Sequence, residues 1–165
     1  MSRRQESGCL RVSGLLRADT VSFYQSVRTR SSALSKLVEL LEFPSDVTDR
    51  STCLKLLYEH EAIDRSSGIG GGVALPYVSC VGIAKPCISA ICVKHGVDWD
   101  APDGQPVDLI FLVAVPPERQ SELLLLTARL ISLLSDGALV QKLRASENER
   151  EFLTQLACAE AMRFA

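Results

Sequence analysis

The segment Ser66–Tyr77 reads SSGIGGGVALPY, four glycines within five residues followed at once by an apolar run. Glycine adopts positive φ readily and lets main chain approach other groups closely, so this loop brings backbone against something. Its context decides the fold. Phosphate-binding loops run strand, loop, helix, so that the amides of a helix N-terminus face the phosphates. Here a helical pattern precedes the glycines and strand-like runs follow them. The P-loop pattern GxxxxGK[ST] is also missing, because Val73 and Ala74 follow the glycines and the next lysine is Lys85. The dinucleotide pattern GxGxxG fails at its third glycine, where Val73 stands. Nucleotide binding is set aside. The loop instead delivers a strand ending at Pro76–Tyr77, and the amides of the glycine segment are expected to ring that end.

Upstream of the loop, Thr20 to Gln25 alternates in the period-2 manner of a half-buried strand. A helix is predicted next, capped by Ser31 or Ser32, with Leu34, Leu37, Val38 and Leu41 on one face and Pro44 as its stop. A second helix spans about Thr48 to Ile63, its apolar side formed by Cys53, Leu54, Leu56, Leu57 and Ile63. Downstream, strands are predicted over 73–77, 87–93 and 107–115. The last, VDLIFLVAV, is apolar almost throughout, as in a strand covered on both faces. Asp103–Gly104 marks a turn before it. A long helix over about Glu118 to Leu134 carries Leu123, Leu126, Leu130, Ile131 and Leu134, with Gly137 in the place of a C-cap. A short helix follows through Val140 and Leu143. The last helix opens on Ser146 and Glu149, the spacing of a capping box.

The order is one strand, two helices, the loop, three strands and three helices, which predicts an α/β sandwich of a mixed sheet covered by helices. At 165 residues the chain is long enough for one domain. Residues 1–12 read as a flexible N-terminal segment and 13–165 as the domain. The composition, 47% hydrophobic and 23% charged with a net charge of −2, is that of an ordinary soluble protein. It shows no footprint for nucleic acid or for an anionic membrane surface. The start MSRRQESGCLRV lacks the apolar core of a signal peptide, and Cys9 lacks the hydrophobic run of a lipoprotein signal. The apolar run Leu109–Val115 is far short of the ~20 residues that span a bilayer, so a cytoplasmic location is expected. Cys9, Cys53, Cys80, Cys87, Cys92 and Cys158 form no CxxC pair, and with His60 and His95 they make no zinc spacing. Reduced, structural thiols are expected, with no metal and no cofactor.

SSGIGGGVALPY, together with GVDWDAPDGQPVDLIFLVAVPPERQSELLLLTARLISLLSD at residues 96–136, resembles the fructose/mannitol-type enzyme IIA domain of the bacterial sugar phosphotransferase system. Within that family it is most similar to the stand-alone nitrogen-regulatory enzyme IIA, and the resemblance covers about residues 13 to 160. It implies the enzyme IIA fold and a site built from Gly68, Gly70, Gly71, Gly72 and Pro76. The family pattern reads roughly STGIGNGVALPHGR, and its histidine receives a phosphoryl group from a phosphocarrier protein. Tyr77 occupies that histidine's position, and Val78 and Ser79 stand where glycine and arginine are expected. A second family histidine, in HLxxLAxL, corresponds to Leu123. His60 and His95 match no functional position.

The resemblance therefore implies a regulatory enzyme IIA-like protein working through protein contacts, its phosphorylation switch lost or replaced, with Tyr77 in the place of the phosphoacceptor histidine. Its partners would be proteins such as a phosphocarrier protein or a regulated kinase or transporter. The alternatives are an active phosphocarrier using Tyr77, Cys80 or His95 as substitute acceptor, and a module whose loop amides hold a small anion.

Overall fold

In the computed structural model, which describes residues 10–24, 26–41, 47–63 and 67–164, the apolar run Val107–Val115 forms the central strand. Side chains alternate along a strand. Ile110, Leu112 and Ala114 accordingly join one hydrophobic core, while Leu109, Phe111, Val113 and Val115 join the other. A strand with a core on each side has no polar face to show, which is why its sequence lacks alternation.

The chain enters through a short helix α1 (Val12–Leu15) and strand β1 (Val21–Tyr24), then helices α2 (Arg30–Leu40) and α3 (Val47–Ile63). The glycine segment contributes β2 (Gly68–Gly70) and β3 (Val73–Ala74), and β4 (Tyr77–Ser79) follows. Next come β5 (Cys87–Val97) and β6 (Val107–Val115). A single 3-10 turn (Pro117–Arg119) leads into α4 (Gln120–Leu134), α5 (Gly137–Arg144) and α6 (Glu149–Arg163). The sheet order is β1-β5-β6-β3-β2, with β4 also paired to β6. β1 runs parallel to β5, β3 and β4 run parallel to β6, and β5–β6 and β2–β3 are antiparallel. The sheet is therefore mixed. Leu34, Leu37 and Val38 of α2 and Cys53 and Leu57 of α3 pack in one core; Val12 of α1, Leu126 and Leu130 of α4, Val140 of α5 and Phe152 of α6 pack in the other.

Several local expectations are corrected. The predicted strand 73–77 is two short strands, because Pro76 offers no N–H and its carbonyl alone joins the sheet, accepting from Val113 at 3.1 Å. The cap of α2 is Thr29 rather than Ser31 or Ser32. Thr29 is still extended, and its hydroxyl accepts the Ser32 N–H at 3.1 Å. In α4, Leu126, Leu130 and Leu134 are buried as expected, but Ile131 is 45% exposed and Leu133 completes the buried face. Gly137 is no C-cap. Asp136 accepts the Ala138 N–H at 3.0 Å and so starts α5 at Gly137. The box opening α6 lies two residues further on. Asn148 accepts the Glu151 N–H at 2.9 Å and the Glu151 carboxylate accepts the Glu147 N–H at 3.0 Å, while Ser146 donates back to Lys142. Val12, placed by the sequence in the leading segment, begins α1 and is fully buried. Residues 1–9 with Cys9, the stop at Pro44, Ser66 and the side chain of Ile63 lie outside the described residues.

Among the described residues no single helix is long and apolar enough to cross a membrane. One bent pair, the 3-10 turn with α4 and then α5, passes by length and composition, but it turns by 89° and buries Leu126, Leu130 and Leu143 in the core.

Candidate functional site

The glycine segment has a left-handed path: Gly70, Gly71 and Gly72 have φ of 91°, 67° and 81°. Its polar groups are taken up within the molecule. The Gly71 N–H donates to Asp103 at 2.9 Å, and the Gly71 carbonyl accepts from the Arg144 guanidinium. Arg144 Nε also donates to Asp108 Oδ1 at 2.9 Å. The Gly72 carbonyl accepts from the Asp108 and Leu109 amides at 2.9 and 3.1 Å. The amides of Gly71 and then Gln105 hold the Asp103 carboxyl below the usual carboxylate range. With one amide given to a carboxylate and the arginine paired to another, the loop is a poor receptor for a small anion.

The base of the loop is fixed by a second network. Trp99, fully buried, donates from Nε1 to Ser67 Oγ at 2.6 Å, and the Ser67 hydroxyl donates to Glu61 at 2.9 Å. Glu61 pairs with Arg30, whose guanidinium stacks 5.2 Å from the Trp99 ring centroid. The Leu75 N–H donates to the Ser67 carbonyl at 2.7 Å. These contacts set where β3 starts, and so where β4 and Tyr77 arrive.

A test of this packing lies at Gly72. A Cβ there would meet the Arg144 guanidinium, and it would sit 3.0 Å from Asp108 Oδ1. Gly71 has the same hand of φ but nothing within 4 Å. Gly71→Ala should therefore cost only the conformational term of about 1–2 kcal/mol. Gly72→Ala should cost about 3 kcal/mol, since strain is added to the lost ion pair. Urea midpoints of the two variants check this ordering.

Tyr77 opens β4, paired with Val113, and is 36% exposed. Val78 is buried in the core beneath it, and Ser79 is half-buried. Gln120, at the start of α4, donates from Nε2 to Ser79 Oγ at 3.5 Å, and Leu123 sits one turn further along, half-buried against the core. Pro76 is buried. The structure thus gathers Pro76, Tyr77 and Ser79 with the start of α4. It sets the glycines elsewhere. Val73 pairs with Leu109 and Tyr77 with Val113, so the glycine loop lies about 13 Å away along β6. Gly70 and Gly71 border a separate cleft of about 450 Å³ against α4 and α5, beside Gln141 and Arg144.

One neighbour of Tyr77 was missed by sequence reasoning. His60, exposed on α3, places its ring 6.1 Å from that of Tyr77, at 56°. The other candidate acceptors are remote from solvent or from the site. Cys80 is 1% exposed, in the same hydrophobic core as Cys53. His95 lies on β5 beyond Cys92, which pairs with Leu109, whereas Ile88 pairs with Val113; this puts His95 about 20 Å from Tyr77 along the sheet.

Residues 14–158 match the family model described as "Phosphoenolpyruvate-dependent sugar phosphotransferase system, EIIA 2". The chain is 26% identical over 140 residues to the fructose-specific EIIABC component of Bacillus subtilis, a match that takes in 85% of the chain but only 22% of that relative's length. It is 25% identical over 139 residues to the fructose-specific EIIA component of Haloferax volcanii, covering 84% of the chain and 90% of the relative. Among solved structures, the nitrogen regulatory protein IIA-Ntr of Neisseria meningitidis superposes with a TM-score of 0.78 at 26% identity, over 88% of this chain and 98% of that one.

Proposed function

We propose, from the premise that the chain belongs to the EIIA 2 family of the phosphoenolpyruvate-dependent sugar phosphotransferase system, that it is a regulatory enzyme IIA-like protein which relays no phosphoryl group. It acts in the cytoplasm by contact with partner proteins, a phosphocarrier protein or a regulated kinase or transporter. The observation that carries the reading is Tyr77, a part-exposed phenol at the start of β4 where the family pattern has its phosphoaccepting histidine.

The chemistry supports it. Phosphoryl relay needs a neutral imidazole nitrogen as nucleophile and a labile P–N bond to the acceptor. A phenol ionises near pH 10, so almost none is phenolate at neutral pH. A phosphotyrosine ester is also a poorer onward donor than phosphohistidine. Ser79 and Leu123 leave the surroundings of Tyr77 without the arginine and second histidine of the family pattern. Cys80 is buried in the core, and His95 lies at the far end of the sheet, which argues against either as a substitute. Meanwhile Tyr77, His60 and Ser79 leave a surface at which a protein can still dock.

The test is intact-mass spectrometry of the purified chain after incubation with phosphoenolpyruvate, enzyme I and phosphocarrier protein. No phosphoryl adduct is expected. An adduct on Tyr77, Cys80, His95 or His60 overturns the reading, and peptide mapping names the acceptor.

A further inference from the structure

A cleft opens at the other end of the sheet from Tyr77, and the register of the strands explains it. Cys92 of β5 faces Leu109 of β6 and Val97 faces Val107, so a longer stretch of β5 than of β6 lies between the two pairs. The surplus bows β5 outward, and Gly96 takes up the bend with φ of 69°. β1 ends beside this bow, Tyr24 pairing with Val93. The parting strands leave a cleft of about 340 Å³. Tyr77 pairs with Val113, and Asp108 of the cleft lies five residues earlier on β6, about 17 Å away.

Its lining combines apolar surface with an excess of positive charge. Phe23 and Tyr24 bring aromatic surface from β1, and Cys92 lies beside them. Burial, with Asp108 adding to it, pushes the Cys92 thiol up to about 12, so that residue contributes no charge. Arg144 is held in place. Its Nε donates to Asp108 Oδ1 at 2.9 Å, and a terminal nitrogen donates to the Gly71 carbonyl. A guanidinium carries further N–H donors, and here they are already fixed before any guest arrives. Lys94 is exposed on the lining and pairs with no described residue. Two cations against the single carboxylate of Asp108 leave a net positive charge, which concentrates anions at the cleft.

We infer that this cleft binds a small organic monocarboxylate with a planar, apolar body. The carboxylate meets Lys94 and the remaining donors of Arg144, and the body lies against Phe23 and Tyr24. The charge balance selects a monoanion, because Asp108 repels a second negative charge while a neutral guest leaves the two cations unanswered. The volume stands near the lower end of the range for small-molecule sites and suits a guest of single-ring size. The inference is independent of the proposed function, since the cleft lies away from Tyr77 and involves no phosphoryl group.

Benzoate is the probe, titrated to millimolar concentration into the full chain at constant pH and ionic strength and followed by amide NMR. Saturable shifts are expected, confined to the end of β1, Cys92 to Lys94 and Asp108. Benzamide keeps the ring without the charge, and acetate keeps the charge without the ring. Each should bind about tenfold more weakly than benzoate. Lys94→Glu turns the excess positive charge of the cleft into an excess negative one and should weaken benzoate by about tenfold. Lys85→Glu, the same change ahead of β5 at its opposite end, should leave benzoate binding unaltered. Both lysines are exposed, so neither change disturbs the core. Absence of benzoate shifts, shifts scattered over the surface, parity of benzamide or acetate with benzoate, or equal effects of the two lysine variants would each overturn the inference.

Discussion

Glu160→Ala should destabilise the fold by about 3–5 kcal/mol, the cost of breaking a buried ion pair by removing one of its partners. Glu160 is 1% exposed on α6, yet it is the busiest carboxylate in the described structure. It accepts the Val12 N–H at 2.7 Å, the Ser13 N–H at 3.0 Å and the Ser13 hydroxyl at 2.6 Å. Val12 and Ser13 open α1, so these two amides have no partner within their own helix. The fourth bond comes from Arg129 Nε at 2.9 Å, from a side chain only 11% exposed. Removing the carboxylate orphans a buried and a part-buried amide and takes the ion pair from the Arg129 guanidinium, which also stacks 4.0 Å from the Phe164 ring. A loss of that size lowers the melting temperature by on the order of 10 °C in a domain of this length. Glu160→Gln keeps an acceptor while losing the charge, and an intermediate loss is expected.

The same residue sets an acid limb. Burial alone pushes the Glu160 carboxyl up, but the bonds from Ser13, Val12 and Arg129 outweigh it and hold the group below the ordinary glutamate value. A depressed folded-state pKa gives stability that is present above the unfolded value and lost as pH falls through the folded one. Denaturant titrations of the wild type should therefore weaken below the ordinary glutamate range, and Glu160→Gln should show a shallower fall over that interval.

Trp99→Ala is the second large effect, about 3–5 kcal/mol for removing a fully buried aromatic. The indole fills the core beside the loop base, gives its N–H to Ser67 and carries Arg30 on its face. Because Ser67 also accepts the Leu75 N–H through its carbonyl, the loss should reach the glycine loop and the start of β3. Trp99→Phe retains most of the volume but not the donor, and it should cost about 1–2 kcal/mol. A double-mutant cycle with Ser67→Ala, read by chemical denaturation, isolates that hydrogen bond. Coupling near zero would show that the indole acts by volume alone.

Patterns with a local cause were legible in the residues. The apolar run at 107–115 announced a strand with a core on each face, and Leu34, Leu37 and Val38 marked the face of α2. Caps were less legible, because Thr29, Ser31 and Ser32 are equally able acceptors and only the backbone decides which one stands outside the helix. The glycine motif pointed to the loop but not to what holds it. Asp103 and Arg144 reach Gly71 across 32 and 73 residues of sequence, and no spacing rule links residues that tertiary packing brings together. His60 was hidden for the same reason: on α3 it reads as an ordinary polar-face residue until β4 places Tyr77 beside it. Asp103 carried one local signal, the DG turn before β6, whereas nothing comparable marked His60.

The central proposition is that the scaffold is that of an enzyme IIA while Tyr77 stops the phosphoryl relay. It is tested most directly by incubating wild type and Tyr77→His side by side with phosphoenolpyruvate, enzyme I and phosphocarrier protein, and weighing both chains intact. The wild type should be unchanged, and the variant should gain an acid-labile phosphoryl group at the substituted position. A phosphoryl group on the wild-type chain would contradict it.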